Sequence, residues 1–286
     1  MGTFSLLSAG SKHGLALRSD GQLISWGYDI VIPPPLGTTA VRLAGGFGHD
    51  CIIRPDGTLL CWGSNDTGQC NAPSGTFVKV AAGYSASAGI RADGSIATWG
   101  FNSEIPPPEG TFKDIWIGKW WYLAQRVDGS LVAWGTNQFG VVTSVPPGSF
   151  ITATASDTWF GLAIRLDGTI AHWGHHGSVS TTIPSGSFVK VAGGSNSAIA
   201  LRADGTAVAW GANSVGQGTA PPQRYLDVDM GEGFGIGIAV CYANCDGSTA
   251  PPFLNINDFV CFLNYFAGGE QYANCDASTT PPVLNI

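Results

Sequence analysis

Arg18-Ser19-Asp20-Gly21-Gln22-Leu23-Ile24-Ser25-Trp26-Gly27 is an arginine, one free position, Asp-Gly, four alternating positions and Trp-Gly. The same spacing returns at Arg54 to Gly63, Arg91 to Gly100, Arg126 to Gly135, Arg165 to Gly174 and Arg202 to Gly211. From Asp20 through Asp56, Asp93, Asp128 and Asp167 to Asp204 the steps are 36, 37, 35, 39 and 37 residues. A period in this range marks one supersecondary unit, copied and stacked.

Asp-Gly between two short apolar runs is a hairpin signal. Pro55 before Asp56-Gly57 refines it, because a fixed φ near −65° suits the first central position of a type I turn, with the glycine following at positive φ. The loop is then three residues long, Pro55 to Gly57. A further strand precedes each hairpin, most clearly at Phe77-Val78-Lys79-Val80-Ala81-Ala82 and Phe188-Val189-Lys190-Val191-Ala192. Each unit is a small antiparallel meander that cannot bury both faces alone, and radial stacking is how such sheets close. The expected fold is therefore all-β, a seven-bladed β-propeller of six full repeats and one incomplete repeat over residues 1–240. Units run 4–39, 40–76, 77–111, 112–149, 150–187 and 188–224, and a seventh opens at Tyr225 without Asp-Gly or Trp-Gly. Its missing strand is expected upstream of Met1, and the chain reads as a fragment whose leader has been lost.

Composition agrees. There are 41 Gly, 17 Pro and 10 Trp among 286 residues and only 12% charged residues, as many short strands and turns require. The formal net charge is −7, and six of the 13 basic residues are the repeat arginines, which leaves no free basic patch for nucleic acid. No membrane span or basic-apolar leader is visible.

The eight residues Trp-Gly-Ser-Asn-Asp-Thr-Gly-Gln at 62–69, Trp-Gly-Ala-Asn-Ser-Val-Gly-Gln at 210–217 and Gly-Ser-Lys-His-Gly-Leu-Ala-Leu-Arg at 10–18 resemble the repeats of the regulator of chromosome condensation family. The likeness is to its shorter bacterial units, such as those of the propeller-type β-lactamase inhibitory protein. It implies the fold and leaves the function open, because that fold serves exchange factors, inhibitors and scaffolds alike.

Residues repeated in every unit are read as framework: the Trp of each Trp-Gly as inter-blade core, the arginines as partners of carbonyls or carboxylates, and His13 and His49, which share one repeat position, as structural hydrogen-bonding groups. Function is sought where a unit departs from its copies. Unit four has Lys119-Trp120-Trp121-Tyr122 where unit three has Tyr84-Ser85-Ala86-Ser87, and adds Trp116; unit five has Asp157-Thr158-Trp159-Phe160 there, with one extra residue. Trp116, Trp120, Trp121, Tyr122, Trp159 and Phe160 are thus the candidate contact surface for a protein partner or a glycan. The competing reading is that they fill a widened core at those two blades. His172, His175 and His176 lack the partner spacing of a zinc site, Gly231 to Gly237 opens no helix that would make it a phosphate loop, and no nucleophile elbow or catalytic carboxylate pair is found. The chain is read as non-catalytic.

The pattern changes at Cys241. Phe259, Phe262, Leu263 and Phe266 fall at i, i+3, i+4 and i+7, the spacing of one helical face. An Asn- and Asp-rich loop feeding such a helix, repeated at 272–286, resembles a dockerin, most closely the cysteine-bearing tails of planctomycete secreted proteins. The resemblance makes residues 241–286 a dockerin-like module truncated in its second repeat. It implies Asn244, Asp246, Asn255 and Asp258 as calcium ligands, a Cys245–Cys261 link between loop and helix, and a cohesin-like receptor as partner. Tyr242 stands where the first acidic ligand belongs, and Ser248 to Pro252 are an insertion. An Asx turn with a helix cap and no metal is the competing reading of the same residues.

A three-residue loop at Pro55 to Gly57 also sets Cys51 opposite Cys61, with Cα atoms about 4.5 Å apart, within disulfide range. A two-residue loop would instead oppose Cys51 to Trp62, and two packed thiols are the other reading. Seven cysteines, four of them in the last 46 residues, point to an oxidising, extracellular setting. The function expected is a secreted binding propeller attached to a cell surface or extracellular assembly through its tail. The rival is an enzyme inhibitor or enzyme component with its site at the propeller mouth.

Overall fold

The computed structural model describes residues 4–19, 21–27, 33–35, 37–175 and 183–240, together with the strand Phe262–Tyr265. Among these residues there are seven three-stranded antiparallel sheets, each taken in chain order from inner to outer strand. The inner strands are Phe4–Ala9, Arg42–Gly45, Phe77–Ala82, Phe112–Ile117, Phe150–Ala155, Lys190–Gly193 and Arg224–Met230. Each touches the next, and the seventh touches the first, so the sheets form the blades of a closed propeller.

The hairpin between middle and outer strands follows from its turn. In blade two the Gly57 N–H donates to the Arg54 carbonyl at 2.9 Å and the Arg54 N–H to the Thr58 carbonyl at 2.8 Å, with Gly57 at φ 84°. That is a type I turn followed by a left-handed residue, which glycine adopts without a steric penalty. The Asp56 carboxylate accepts from the Thr58 N–H and hydroxyl at 2.9 and 2.7 Å, and Asp93, Asp128, Asp167 and Asp204 do the same in their blades. These bonds hold the aspartates below the usual carboxylate range.

The three-residue loop sets the register from Ile53 opposite Leu59 to Cys51 opposite Cys61, and these two cysteines form a disulfide with Cα atoms 4.1 Å apart. Trp62, Trp99, Trp134, Trp173 and Trp210 are buried, as the repeat pattern requires. The repeat arginines are less enclosed than a paired buried guanidinium would be. Arg91, Arg126 and Arg202 lie over Phe77, Phe112 and Phe188 at 4.8–5.0 Å, and the first two reach the Ser74 and Glu109 carbonyls.

Closure is tightest where inner strands turn into middle strands. Any side chain at Gly10 would come within 2.6 Å of the Gly46 carbonyl oxygen, one at Gly46 within 2.6 Å of Gly83 O, and one at Gly83 within 2.8 Å of Gly118 O. One at Gly118 would meet Ser156 O at 2.5 Å, and one at Gly231 would meet Gly10 O at 2.5 Å. Backbone therefore packs on backbone around this end, a close approach that only glycine permits. Across the closing seam the Glu232 N–H donates to Ser11 O at 2.9 Å, and the Ala9 N–H to the Asp229 carboxylate at 2.8 Å.

The seventh blade corrects two expectations. It is not short of its outer strand, and no strand from upstream of Met1 fills that place: Phe262–Tyr265 pairs antiparallel with Gly235–Val240, from Ala239 opposite Phe262 to Ile236 opposite Tyr265. The same four residues are therefore strand, where the spacing of Phe259, Phe262, Leu263 and Phe266 predicted a helix. A strand edge left open by the absence of an Asp-Gly hairpin offers unpaired backbone groups, and satisfying them outweighs a weak local helical pattern. The remainder of 241–286, including Asn244, Asp246, Asn255, Asp258, Cys245 and Cys261, lies outside the described residues.

Candidate functional site

Antiparallel pairing places two sets of loops at the glycine end of the ring. One set joins inner to middle strands; the other follows each Trp-Gly, since Gly135 opposes Trp121 and Gly174 opposes Phe160. Here the aromatic residues of blades four and five separate into two groups.

Trp121, Tyr122 and Phe160 are 0, 1 and 1% exposed, which corrects their assignment to a contact surface. The Trp121 indole N–H donates to the Thr158 carbonyl of the next blade at 3.2 Å. Tyr122 stacks on Trp134 with ring centroids 5.0 Å apart, and its hydroxyl donates to Phe101 O at 3.0 Å. Burial pushes the Tyr122 phenol far above its ordinary range. Phe160 joins the cluster between blades five and six. For these three the widened-core reading holds.

Trp120 and Trp159 remain partly exposed and meet edge to face at 5.6 Å. They anchor a continuous rim. Phe101 lies 6.1 Å from Trp120, Phe139 lies 6.5 Å from Trp159, and His175 stacks on Phe139 at 4.6 Å. On the other side the Lys119 ammonium sits 5.1 Å over Trp120 and 5.2 Å over Tyr84, which in turn contacts Phe47 at 4.2 Å. Phe101 and Phe139 are 42 and 56% exposed. Among the described residues the only non-glycines at positive φ are Asn102 at 60° and Phe139 at 56°, and both belong to this rim. Such conformations cost about 1–3 kcal/mol each and persist where the surroundings impose them. Asn102 is held by a bond to Thr136 Oγ1 at 3.2 Å.

Trp116 points elsewhere. It is half-buried in the wall of the central channel, a cavity of about 280 Å³ lined by all seven inner strands. Adjacent blades are tied across this wall by Lys79 with Asp114 at 3.0 Å and by Lys190 with Asp227. At the mouth beneath the rim, enclosure and the nearby Glu232 and Asp229 carboxylates push Asp157 up to about 7, against the pull of Lys119. Burial likewise raises Asp229.

The polar groups that might suggest catalysis are spent on the framework. His13 Nε2 meets Asp50 Oδ1 at 2.6 Å, and His49 Nε2 meets Ser87 Oγ at 2.8 Å; all four side chains are buried. The Ser87 hydroxyl donates to Gln69 O at 2.9 Å. Serine, histidine and aspartate are thus shared between two inter-blade pairs, with no access for a substrate. Among the described residues no three His, Cys, Asp or Glu side chains cluster as a metal site would need. No helix among them is long and apolar enough to cross a membrane.

With this geometry in view, residues 4–29, 40–69 and 188–217 match the Regulator of chromosome condensation (RCC1) repeat. No match is found among curated proteins. Solved structures share the fold. The ectodomain of the receptor kinase CR4 from Physcomitrella patens superimposes with a TM-score of 0.72 at 21% identity, covering 84% of this chain and 71% of that one. The CRINKLY WD40 ectodomain of the Arabidopsis thaliana receptor kinase ACR4 gives 0.72 at 21%, covering 83 and 92%. Prp20p from Saccharomyces cerevisiae, whose binding to Gsp1p and histones is described with its structure, gives 0.68 at 18%, covering 85 and 84%. The shared fold and the three matched repeats make this chain a propeller of RCC1-like architecture.

Proposed function

We propose that this chain is a non-catalytic, extracellular propeller that binds a protein partner on the rim centred on Trp120 and Trp159, with the dockerin-like attachment role confined to the residues of 241–286 outside the blade-seven strand Phe262–Tyr265. The observation that carries the reading is the partly exposed Trp120–Trp159 pair, flanked by Phe101 and Phe139, with Asn102 and Phe139 held at positive φ. Large, rigid aromatic surfaces dominate binding energy at protein interfaces, and strain kept at a surface loop has no folding benefit to explain it. Prp20p is described as a protein binder, and CR4 and ACR4 contribute receptor ectodomains, which supports a protein partner and an extracellular setting. The Cys51–Cys61 disulfide supports the same compartment. An enzyme as the partner would make the propeller an inhibitor through the same rim.

Capture from the secreted fraction of the source organism tests both parts. Trp120→Ala and Trp159→Ala should each weaken rim-held capture about tenfold or more, with Trp120→Ala leaving the unfolding temperature unchanged and Trp159→Ala, whose parent side chain also packs on the core, lowering it modestly. A calcium chelator should release only a receptor held by the tail. Undiminished capture by both tryptophan variants overturns the rim, and capture of tail-held material that ignores the chelator overturns the calcium-dependent module. A partner removed by glycosidase treatment would make the rim a glycan site instead.

A further inference from the structure

The channel mouth beneath the rim holds negative charge that the fold leaves uncompensated. One residue past the glycine of each inner-to-middle turn, or past Ser156 in blade five, lies a position that changes character around the ring. It is aromatic in blades two and three, with Phe47 and Tyr84, and acidic in blades five and seven, with Asp157 and Glu232. Deeper in the channel Asp229 stands at the inner-strand position that Ala44, Ala81 and Ala192 hold in their blades.

The three carboxylates are met differently. Asp229 accepts from the Ala9 and Met230 N–H groups at 2.8 and 3.0 Å, and Glu232 from the Ser11 hydroxyl at 2.7 Å. Those donors are neutral, so both negative charges remain. Asp157 has no hydrogen-bond or ion-pair partner at all: Lys119, the cation that acts on it, rests over the Tyr84 and Trp120 rings instead. Protein surrounds Asp157, and its side chain keeps access to water through the channel that it lines.

The turn that carries Asp157 is fixed from both sides. Within it the buried Ser156 hydroxyl accepts from the Thr158 and Phe160 N–H groups, each at 3.3 Å. The Trp121 indole of blade four donates to Thr158 O at 3.2 Å, and the Thr158 hydroxyl donates to Ser195 O of blade six at 2.8 Å. A partnerless carboxylate held this firmly in a concave site is preorganised for a cation, and closing the ring gains nothing from it. A metal ion would need more, since among the described residues no three acidic, His or Cys side chains converge. An organic cation needs only one such group. The channel wall below combines Ala44, Ala81 and Ala192 with Trp116, which suits an apolar stem behind a charged head. Phe47 and Tyr84, across the ring, add aromatic surface of the kind that attracts a cation.

We propose that the channel mouth is a socket for one lysine or arginine side chain of the protein partner, whose charge meets the Asp157 carboxylate with Asp229 and Glu232 behind it. The socket rests on the rim being the partner's contact surface, because a partner seated on Trp120 and Trp159 covers the mouth and can reach into it.

Titration of the full chain with acetyl-Gly-Arg-Gly-amide and acetyl-Gly-Lys-Gly-amide, followed by NMR on the Trp116 indole, tests the socket without the partner. At pH 8 at least one of the two should bind with a dissociation constant of about 1 mM. Neutral acetyl-Gly-Gln-Gly-amide should bind about tenfold more weakly or worse, and Asp157→Asn, of the same shape without the charge, should cut affinity for the basic peptide by about tenfold. Asp157→Asn should keep the circular dichroism spectrum of the parent. Because Asp157 holds its proton up to about 7, the basic peptide should bind about tenfold more weakly at pH 6 than at pH 8. Lys119, Asp229 and Glu232 also face this carboxylate, and loss of the pH step in Asp157→Asn assigns it to Asp157. The socket is overturned if neither basic peptide binds, if basic and neutral peptides bind alike, or if Asp157→Asn binds as the parent does. Partner capture separates the two readings. Capture lost in Trp120→Ala without any peptide binding sinks the socket alone; peptide binding that needs Asp157, with capture that ignores Trp120 and Trp159, supports the socket and sinks the rim.

Discussion

In blades one, two, four and five the first residue of the middle strand faces the next blade, and the two pairs fill that slot differently. In blades one and two it is histidine, and each imidazole finds one polar partner through Nε2: His13 meets Asp50, and His49 meets Ser87. In blades four and five it is Trp121 and Phe160, which fill the gap with aromatic bulk. Both solutions close the seam, with different liabilities. A hydrogen-bonded seam is directional and sensitive to protonation; an apolar one depends on volume and is indifferent to pH. The half sealed by bulk is also the half that carries the exposed rim, so a firmly packed base supports the strained loops of Phe139 and Asn102.

The largest effect that would break this comparison is expected at Trp121. Trp121→Ala should cost about 3–5 kcal/mol in urea unfolding, because a fully buried indole leaves a cavity among Leu123, Val141 and Phe150. Trp120→Ala, one residue away and partly exposed, should shift stability by less than about 0.5 kcal/mol. Equal costs at the two sites would show that the rim and the seam are one structural unit.

That contrast also shows what was legible beforehand. The hairpin register could be read down to the opposition of Cys51 and Cys61, because an Asp-Gly turn acts through local dihedrals and each step along a strand is fixed once the loop is set. The rim was half legible. Clustering in sequence groups Trp120, Trp121 and Tyr122, whereas the strand that opens at Trp121 is buried on both faces. Only Trp120, in the turn before it, stays at the surface. Phe101, Phe139 and His175 were missed, although the pairing of each Trp-Gly with the start of the middle strand would have brought these loops to the same end. The closing strand Phe262–Tyr265 could not be read, since its pairing with Gly235–Val240 spans a long separation without turn chemistry. Its residues also carry a period that fits a helix.

The disulfide comes next in size, and it belongs to the hydrogen-bonded half. Linking residues separated by 10 in sequence should stabilise the oxidised chain by about 2–3 kcal/mol through the unfolded state. Cys51→Ala with Cys61→Ala should show that loss in urea unfolding, and peptide mapping without reductant should recover the two residues linked. If both are alkylated in the native secreted protein, blade two gains nothing from the pair and the extracellular reading loses its covalent support.

The smallest expected effect separates the two halves by pH. Burial and the neighbouring His13 bring His49 down to about 4 from 6.5, so the folded chain keeps this imidazole neutral while the unfolded chain protonates it. The buried Nδ1 of His49 has no partner, which leaves no acceptor for a second N–H. The unfolded state therefore binds more protons between pH 6.5 and 4, and stability from this group is complete above 6.5 and lost as pH falls toward 4. From pH 7 to pH 5 the loss is about 2 kcal/mol. Asp157, raised to about 7, acts with the opposite sign: its folded form takes up a proton first, so its contribution improves as pH falls from 7 toward 4. The two must be separated by variants. His49→Gln, which can still donate to Ser87, should remove the acid-side loss, and Asp157→Asn should deepen the net loss seen in the parent. Urea unfolding at pH 7, 6 and 5 measures both. An acid-side loss that survives His49→Gln unchanged would place the pH sensitivity elsewhere and erase the difference between the halves.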